Sequence, residues 1–335
     1  MSDLGKVDRS FFDDVIAPRL GVDRDDVALG PRHGVDFGVL DVGDHLLVTA
    51  TDPLSVLPAL GLDRAARFAL NVFLTDVAVS GIAPTHCSLT LTVPPSMTDD
   101  EIATIWRGLS DHASDLGVAI VATHVSRAAG VESSWVGGAT AFGVGDRSDL
   151  VRPDGARPSD AIVVSTGPGA EVAGLVSTLY PAELPLSAET IATAQARVDD
   201  IEGVRDAAAA HDAGQVTAMH DATEGGLHGG LAEMASGAGV RFDVDSDAVP
   251  VRDGVRPVCD ALGVDPWRVT SCGTLLSTVD PADADAVVAA LEARGTPAAV
   301  VGTVSEGHGV YADGDEVTAP EEDPSWAAIQ ALTDE

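Results

Sequence analysis

The chain has 335 residues, 45% of them hydrophobic and 4% aromatic, which is long enough for two domains with aliphatic cores. It carries 53 acidic and 19 basic residues, a formal net charge of −34; this charge repels phosphate backbones and anionic lipid, so we exclude nucleic-acid and membrane partners. No apolar run approaches the roughly 20 residues that cross a bilayer, and the N-terminus does not resemble a signal peptide, so we expect a cytoplasmic protein.

The acidic residues are spread evenly along the chain, and Lys6 is the only lysine. One interpretation is a cation-binding or acidic interaction protein. We prefer a solvated surface adapted to high salt, because salt screens the repulsion between so many carboxylates. The melting temperature is therefore expected to rise from low to multimolar KCl, and a salt-independent melting temperature in circular dichroism would contradict this interpretation.

The three cysteines, Cys87, Cys259 and Cys272, lie far apart in the sequence. They lack the paired spacing of a zinc site or a disulfide framework, so we expect reduced thiols that act as small core residues. Cys272 is the one candidate for a further role, because residues 271–274 have the composition of a loop.

The first half of the chain alternates predicted strands and helices. Residues 64–80 are almost wholly apolar and long enough for a buried helix, ended by Gly81 and Pro84. Thr98 and Glu101 form a capping box that begins a second helix. The predicted strands are 45–51, ended by Asp52-Pro53, then 87–93, 118–122 and 135–145.

Residues 146–160 lose periodicity and gain proline, which indicates a boundary between domains 1–150 and 151–335. In the second domain we predict strands at 161–165, 240–244, 274–279 and 298–304, and helices from 170 and at 188–212, 226–237 and 283–294. Long helices mixed with strands indicate an α/β (α+β) fold.

Several polar side chains of the first half stand where ligands bind. Asp76 lies in the most apolar helix, where a lone carboxylate is expensive to bury, and Asn71 and Thr75 extend a polar strip beside it unless that strip faces solvent. Asp52 and His124 follow predicted strands, as ligand-binding residues of α/β proteins do, although a strand-ending turn and a structural histidine explain them too. Should they converge, carboxylates with phosphate oxygens suit magnesium.

The strongest single motif runs from His220 to Leu227. Asp221 or Thr223 is expected to cap the helix that follows, and Gly225-Gly226 to let the backbone approach a ligand closely. Free N–H groups at that helix N-terminus would hold an anion. The plainer alternative, an ordinary N-cap with acidic residues nearby, leaves the crowding of functional residue types unexplained.

Two weaker features are compatible with phosphate binding. Gly167-Pro168-Gly169 follows a strand as a dinucleotide loop does, but its glycine spacing is wrong and Pro168 lacks a donor. Lys6 has no phosphate-loop surroundings; it either reaches a phosphate or is an ordinary surface residue.

Several motifs, in order along the chain, resemble those of the AIR synthase superfamily, which includes hydrogenase-maturation carbamoyl dehydratases, thiamine-monophosphate kinases and selenophosphate synthetases. The hydrogenase-maturation branch is the most similar. The matching segments are Asp25-Asp26-Val27-Ala28, Thr51-Asp52, Thr75 to Gly81 with Pro84, Val136 to Gly143 and His220 to Leu227.

The resemblance implies an N-terminal mixed-sheet domain that dimerises through its sheet, a C-terminal α/β domain, and ATP with Mg²⁺ in a cleft near the homodimer interface. It implies metal ligands Asp26, Asp52 and Asp76, and catalytic residues Asp221, Glu224 and His124. It also implies that the ATP-binding residues are Thr51, Asn71, Thr75, Gly137, Gly138, Gly225, Gly226 and Lys6.

The chain departs from the family pattern at several positions. Thr123-His124-Val125 replaces Gly-Asp-Thr and loses a metal carboxylate, Thr75 replaces Asn, and Glu224 replaces Arg. The sequence ends in Ala-Leu-Thr-Asp-Glu, without the cysteine that carries the carbamoyl group in the maturation enzymes, so cyanide-forming chemistry on that tail is not expected.

Three hypotheses follow from the sequence. The first is an ATP-dependent phosphoryl-transfer or synthetase/dehydratase-type enzyme that acts on a small molecule. The second is a nucleotide-binding regulatory or scaffold protein without turnover, suggested by His124 and Glu224. The third, weakest, is a dinucleotide-dependent oxidoreductase that uses Gly167-Pro168-Gly169.

Overall fold

The computed structural model describes residues 5–7, 9–131 and 137–333, and it contains two compact units. The six-stranded unit comprises Arg24–Pro31 and Asp36–Leu150; the seven-stranded unit comprises Met1–Asp23, Arg32–Val35 and Val151–Glu335. The chain passes from the six-stranded to the seven-stranded unit between Leu150 and Val151, and two early segments, Met1–Asp23 and Arg32–Val35, also group with the seven-stranded unit. Among the described residues, no helix has both the length and the apolar character to span a bilayer.

The six-stranded unit has a mixed sheet in the order β1-β2-β3-β6-β4-β5. Antiparallel pairs join all neighbours except β4 and β5, which are parallel. The elements of the six-stranded unit are β1 (Val27–Leu29), β2 (Gly38–Val42), β3 (His45–Leu54), α2 (Leu62–Ala78), β4 (Pro84–Val93), α3 (Asp99–Asp115), β5 (Ala119–Arg127) and β6 (Gly137–Gly145). The helical turn α1 (Arg9–Phe11) precedes them in the chain and belongs to the seven-stranded unit.

One face of this sheet packs against α2 and the other is open. Alternate residues of β3 and β4, such as Leu46, Val48 and Leu89, are buried under α2, as the period of two in a strand requires. The capping box of Thr98 and Glu101 begins α3 as predicted, with both reciprocal hydrogen bonds present.

Two predicted strand ends in this unit are wrong. Asp52-Pro53 does not stop β3, which continues to Leu54, and β5 extends well past residue 122 to Arg127. Beyond Thr49 the strand β3 has lost its pairing with β2 and keeps only β6 as a neighbour, so the missing N–H of Pro53 is tolerated. The predicted strand 135–145 is β6 from Gly137 onward; Trp135 and Val136 lie outside the described residues.

The seven-stranded unit has the order β13-β12-β9-β11-β7-β10-β8, and its core includes Ile162, Leu231, Phe242 and Leu276. Its elements are β7 (Ala161–Ser165), α4 (Ala170–Leu179), α5 (Ala188–Gln195), α6 (Gly203–Ala213), β8 (Val216–Asp221), α7 (Gly226–Ala238), β9 (Arg241–Val244), α8 (Val255–Leu262), β10 (Leu275–Val279), α9 (Ala284–Ala293), β11 (Ala298–Ser305), β12 (Gly309–Ala312), β13 (Asp315–Val317) and α10 (Pro324–Thr333).

The predicted single helix 188–212 is interrupted, and this is the main correction in the second half. A 3₁₀ segment, Ala196–Asp200, separates α5 from α6. Tertiary contacts explain the break: the backbone at Val198 approaches Gly174 of α4 so closely that a Cβ there would lie 2.7 Å from the Val198 nitrogen, and Arg252 holds the Asp200 carboxylate through two 2.9 Å hydrogen bonds.

Candidate functional site

Three loops of the seven-stranded unit meet at one edge of its sheet. Strands β7 and β8 end at Ser165 and Asp221, and β10, antiparallel to both, begins at Leu275. Leu275 pairs with Asp221 in this register, so the loops that follow β7 and β8 and the loop that precedes β10 lie side by side. Strand ends of this kind are where α/β proteins place ligand-binding residues.

The His220 to Leu227 motif forms the central loop of this edge. Asp221 is the last residue of β8 and its side chain is 1% exposed. Gly226 begins α7 with a left-handed φ of +61°, and a Cβ on it would lie 2.5 Å from the carbonyl oxygen of Val269. The sequence predicted that this glycine lets the backbone approach a ligand closely. In the structure, the group that approaches Gly226 closely is the neighbouring loop that contains Val269.

The N-terminus of α7 already binds an anion, and that anion is a side chain of the chain. The buried Asp323 accepts a 2.9 Å hydrogen bond from the Gly225 N–H, and its other oxygen is held by Ser325. Gly225, which has no side chain, is the N-cap residue of α7. The prediction that Asp221 or Thr223 caps this helix is therefore wrong.

Lys6 lies against the same loop. Its backbone N–H donates to Glu224 Oε2 at 2.9 Å, and its ammonium donates to Thr223 Oγ1 at 3.4 Å. The structure thus brings together Lys6, Asp221, Glu224, Gly225 and Gly226, all predicted as site residues.

Glu171, in the first turn of α4, is a candidate that the sequence reasoning missed. Its Oε2 accepts 2.8 Å hydrogen bonds from Thr270 Oγ1 and from the backbone N–H of Cys272, and no donor among the described residues reaches Oε1. Burial raises the pKa of this carboxyl, and the nearby carboxylates of Asp323 and Glu224 raise it further. An acid placed just after a buried strand and a glycine loop was the available signal.

Replacing Glu171 with Gln is expected to stabilise the fold near neutral pH. Because the folded-state pKa of Glu171 lies above its unfolded value, the ionised carboxylate destabilises the folded state above that range, and the penalty disappears as pH falls below about 4.5, the unfolded value. Melting curves of both proteins across this pH range should converge at the acid end. An advantage that persists unchanged at low pH would contradict this account.

The loop of Gly167-Pro168-Gly169 is occupied by the protein's own groups. The Gly169 N–H donates to Ser271 Oγ at 2.7 Å, and Thr274 Oγ1 donates to the Gly167 carbonyl at 2.7 Å. A Cβ on Gly167 would lie 1.8 Å from the carbonyl oxygen of Pro250. These contacts give the glycines a packing role and weaken the dinucleotide hypothesis.

All three cysteines of the chain are buried, and burial raises the pKa of Cys87 to about 11 and of Cys259 to about 12, as expected of inert core thiols.

In the six-stranded unit, the polar strip of α2 is buried and does not face solvent. Asn71, Thr75 and Asp76 are at most 8% exposed, and Thr75 Oγ1 donates to the Asn71 carbonyl at 2.7 Å. Burying three polar side chains in an apolar helix costs free energy unless hydrogen-bond partners or a ligand satisfy them, so this strip stays a candidate site.

The six-stranded unit does not bring Asp26, Asp52 and Asp76 together. The Val77 side chain contacts the sheet at Gly143, which pairs with Val48, whereas Asp52 pairs with a residue four positions away, about 13 Å along the strand. The Asp26 carbonyl accepts from Asp41, which pairs with the beginning of β3, farther still from Asp52. The helix that returns from β3 to β4 ends beside the beginning of β3, which explains the separation.

The remaining predicted residues of this unit also lie apart. Thr51 and Asp52 are consecutive in β3 and face opposite sides of the sheet; Thr51 Oγ1 donates to the Ala139 carbonyl at 2.9 Å. His124 is exposed in the middle of β5, opposite Thr90, and does not end a strand as predicted. Asp26 is exposed and bound by Arg24 at 2.5 and 2.8 Å, which lowers its pKa. The individual roles of these residues stay predictions.

Gly137 and Gly138 lie in β6, between β3 and β4. A Cβ on Gly137 would lie 1.6 Å from the Thr90 carbonyl oxygen, so the close approach of β4 requires a glycine there. A role for either glycine in ATP binding stays a prediction.

Comparison with known proteins supports the resemblance on which these predictions depend. Residues 34–145 match the N-terminal domain of AIR synthase related proteins, and residues 157–315 match their C-terminal domain. The matched range begins after Asp26 and includes Asp36, a partly buried residue before β2 that sequence reasoning did not single out.

Two relatives align with most of the chain. Carbamoyl dehydratase HypE of Rhizobium leguminosarum bv. viciae is 28% identical over 278 residues, which cover 82% of this chain and 77% of the relative. Selenide, water dikinase of Geobacter sp. (strain M21) is 30% identical over 247 residues, 71% of this chain and 67% of the relative.

Solved structures show the same fold. E. coli HypE superposes with a TM-score of 0.71 at 24% identity, covering 83% of this chain and 87% of that one. AaThiL complexed with AMPPCP and TMP has a TM-score of 0.69 at 20% identity, covering 87% and 90%. The chain therefore belongs to the AIR synthase-related family, with HypE-type hydrogenase maturation proteins among its relatives.

Proposed function

We propose that this protein is an ATP-dependent enzyme that transfers a phosphoryl group to a small molecule, or activates one for dehydration, with the His220 to Leu227 loop at its active site. The main observation behind this proposal is that Asp221 and Glu224 lie on this loop, which follows a strand of a matched family domain, and that the only lysine of the chain contacts the same loop. Two relatives are named carbamoyl dehydratase and selenide, water dikinase, one a dehydratase and the other a kinase by name, which supports this proposal.

ATP binding is supported by two solved relatives of the same fold. One is described as HypE in complex with ATP, with a TM-score of 0.64 at 22% identity over 94% of this chain and 93% of that one. The other, AaThiL, was solved with AMPPCP and TMP. Both show that this fold accommodates an adenine nucleotide or its analogue.

The donor chemistry of this chain fits Mg²⁺. Asp76 and Asp221 are 8% and 1% exposed, and carboxylates this deeply buried are stabilised by a cation or by several donors. Magnesium prefers a few carboxylates together with phosphate oxygens, so each of these two carboxylates is a candidate Mg²⁺ ligand. Bound there, the ion would neutralise charge on the phosphates.

The residues of the loop have distinct roles in this proposal. The Lys6 ammonium, exposed beside Thr223, is positioned to pair with a phosphate, and Glu224 fixes it by accepting from the Lys6 backbone. The Gly225 N–H is bound to Asp323, so a phosphate reaches this donor only when Asp323 moves away. Glu171, whose Oε1 accepts from no donor among the described residues, is placed to hold or release a proton near this loop.

The experiment that tests this function is calorimetric titration with ATP in multimolar KCl, with and without Mg²⁺, followed by assays of phosphate release across a metabolite panel. Binding that Mg²⁺ strengthens, with turnover of one metabolite, supports the proposal. Binding without any product would favour the alternative of a regulatory or scaffold protein. Absence of nucleotide binding would overturn both.

The single lysine gives an independent readout of the same site. The 2′,3′-dialdehyde of ATP reacts with amines, and in this chain only Lys6 and the N-terminal amine qualify. We expect a Lys6 adduct in peptide mass spectrometry that excess ATP suppresses. A Lys6 adduct that ATP does not suppress would remove this residue from the nucleotide site.

We also propose that the protein is a homodimer formed through the open face and β5 edge of the six-stranded sheet. Val144 is 52% exposed on the open face, and Val121 and Val125 on the edge strand β5 are 58% and 43% exposed, which is unusual for apolar side chains on so acidic a chain. Val144→Lys should give the monomer mass in light scattering, whereas Val22→Lys, at another exposed valine, should leave the mass unchanged. A wild-type monomer would contradict this proposal.

A further inference from the structure

The seven-stranded unit contains a cavity to which the proposed function has so far assigned no ligand. Its volume is about 330 Å³, and it lies between the second half of α7 and residues 32–35. Its polar lining includes Arg9, Arg32, His33, Asp154 and Glu233.

One of the two carboxylates that line the cavity is neutralised by arginine. Asp154 is bound by Arg152 through hydrogen bonds of 2.7 and 2.8 Å, and Arg32 forms a third, short contact with it. The Arg152 guanidinium, with help from Arg32, holds the pKa of Asp154 at about 2. Two guanidinium groups therefore share one negative charge.

The other carboxylate, Glu233, is bound by two imidazoles. His220 Nε2 lies 3.1 Å from Glu233 Oε2, and His33 Nε2 lies 3.5 Å from Glu233 Oε1. Burial raises the pKa of Glu233, but the His220 hydrogen bond and the charges of His33 and Lys6 together lower it below its usual value. Both oxygens of this carboxylate already face positive or donor groups.

The cavity therefore has surplus positive charge in a strongly acidic chain. Arg9 adds a further guanidinium whose one described carboxylate contact, to Asp13 at 3.4 Å, is exposed and weak. The chain as a whole has 53 acidic against 19 basic residues, whereas here three guanidinium groups, those of Arg9, Arg32 and Arg152, face two carboxylates that are already bound. Such a site attracts anions at short range even where high salt screens the long-range field.

The volume of the cavity and the apolar part of its lining limit the class of ligand that fits. Because one water occupies about 30 Å³ of liquid, a cavity of about 330 Å³ holds roughly ten waters, or a molecule smaller than ATP. Val35, Pro153, Ala232 and Ala319 form an apolar wall beside the arginines. The guanidinium fork suits the planar or tetrahedral oxygens of carboxylate and phosphate.

We propose that this cavity binds a small organic anion, with its carboxylate or phosphate head against Arg32 and Arg9 and a short apolar body against Val35 and Ala232. The proposal rests on the proposed function, because it assigns the acceptor substrate of the same enzyme to this class of molecule.

The test uses the full chain in multimolar KCl, with butyrate, propyl phosphate and the neutral butyramide as calorimetric probes. We expect one or both anions to bind with millimolar affinity and butyramide not to bind. Arg32→Gln and Arg9→Gln should each weaken the anion at least about tenfold, the loss of a charge-assisted hydrogen bond. Folding is preserved in Arg32→Gln because Arg152 still binds Asp154. Arg256→Gln, an exposed arginine of the same unit, is the control.

The three probes distinguish the possible results. Preference for propyl phosphate identifies a phosphate head, and preference for butyrate identifies a carboxylate head. Failure of both anions to bind, or equal binding by wild type, Arg32→Gln and Arg9→Gln, would overturn the cavity proposal. ATP titrated into the same samples separates the two ideas, since ATP binding with no anion binding overturns only the cavity.

Discussion

Gly226→Ala is expected to destabilise the seven-stranded unit by roughly 3–5 kcal/mol and to lower its melting temperature by roughly 6–20 °C. The residue has a φ of +61°, and the new Cβ would lie 2.5 Å from the Val269 carbonyl oxygen and 2.8 Å from that of Trp267. Both obstacles are backbone atoms, which a change of side-chain rotamer does not relieve. Relief requires α7 to separate from the neighbouring loop, and this would also displace the residues of the proposed site.

Gly225→Ala is the matched control at the adjacent position. Gly225 also has a positive φ, +80°, but its new Cβ would meet its nearest neighbours, in Pro320 and Gly229, at ordinary distances of 3.5 to 3.6 Å. We expect a cost of about 1–2 kcal/mol from backbone strain alone. Differential scanning calorimetry of the two variants measures the difference directly. Equal melting temperatures would show that the close approach at Val269 does not constrain Gly226.

Local features of the sequence predicted local structure well. The apolar run that contains Asp76 is the buried helix α2, and the capping box of Thr98 and Glu101 begins α3. Both signals act within one or two helical turns, so the information needed to interpret them is contained in the segment itself. The fold class and the family followed from such segments taken in order.

The errors arose where distant segments decide the outcome. The hydrogen bond from Gly225 to Asp323 joins residues 98 positions apart, and that from Thr270 to Glu171 spans 99 positions. No local pattern around Gly225 indicates that a distant aspartate occupies the helix N-terminus. Glu171 was missed for the same reason, because its environment comes from two later loops and the C-terminal segment.

The predictions of strand ends, and of carboxylates that converge on one point, were wrong for a related reason. Whether Pro53 ends a strand depends on whether β3 has one neighbour or two at that point, and this is a property of the sheet. Similarly, Asp52 lies in β3 and Asp76 lies in α2, and these two elements pack together. Because α2 runs back along the sheet, however, the two carboxylates lie toward opposite ends of β3. Sequence indicates which residue types are present, and topology decides which of them meet.

Asp76→Asn is expected to remove the benefit of Mg²⁺ for ATP binding, with at least about tenfold weaker MgATP affinity, and to lower turnover at least about 100-fold, with the fold intact. Asparagine has the size of aspartate and no charge, so it can fill the same buried position in α2 without a carboxylate to stabilise there. Calorimetry measures the affinity, phosphate release the turnover, and circular dichroism the fold.

Asp63→Asn is the control, since this aspartate lies on the same helix with an exposed side chain 3.9 Å from Arg67 and should change neither binding nor turnover. If Asp76→Asn instead bound MgATP as wild type does, Asp76 would not be a metal ligand, and its burial would need a purely structural explanation. The expected combination, an intact fold with lost magnesium dependence, distinguishes these cases because a structural carboxylate affects stability first. A charge kept inside the most apolar helix of the chain is best explained by what it binds.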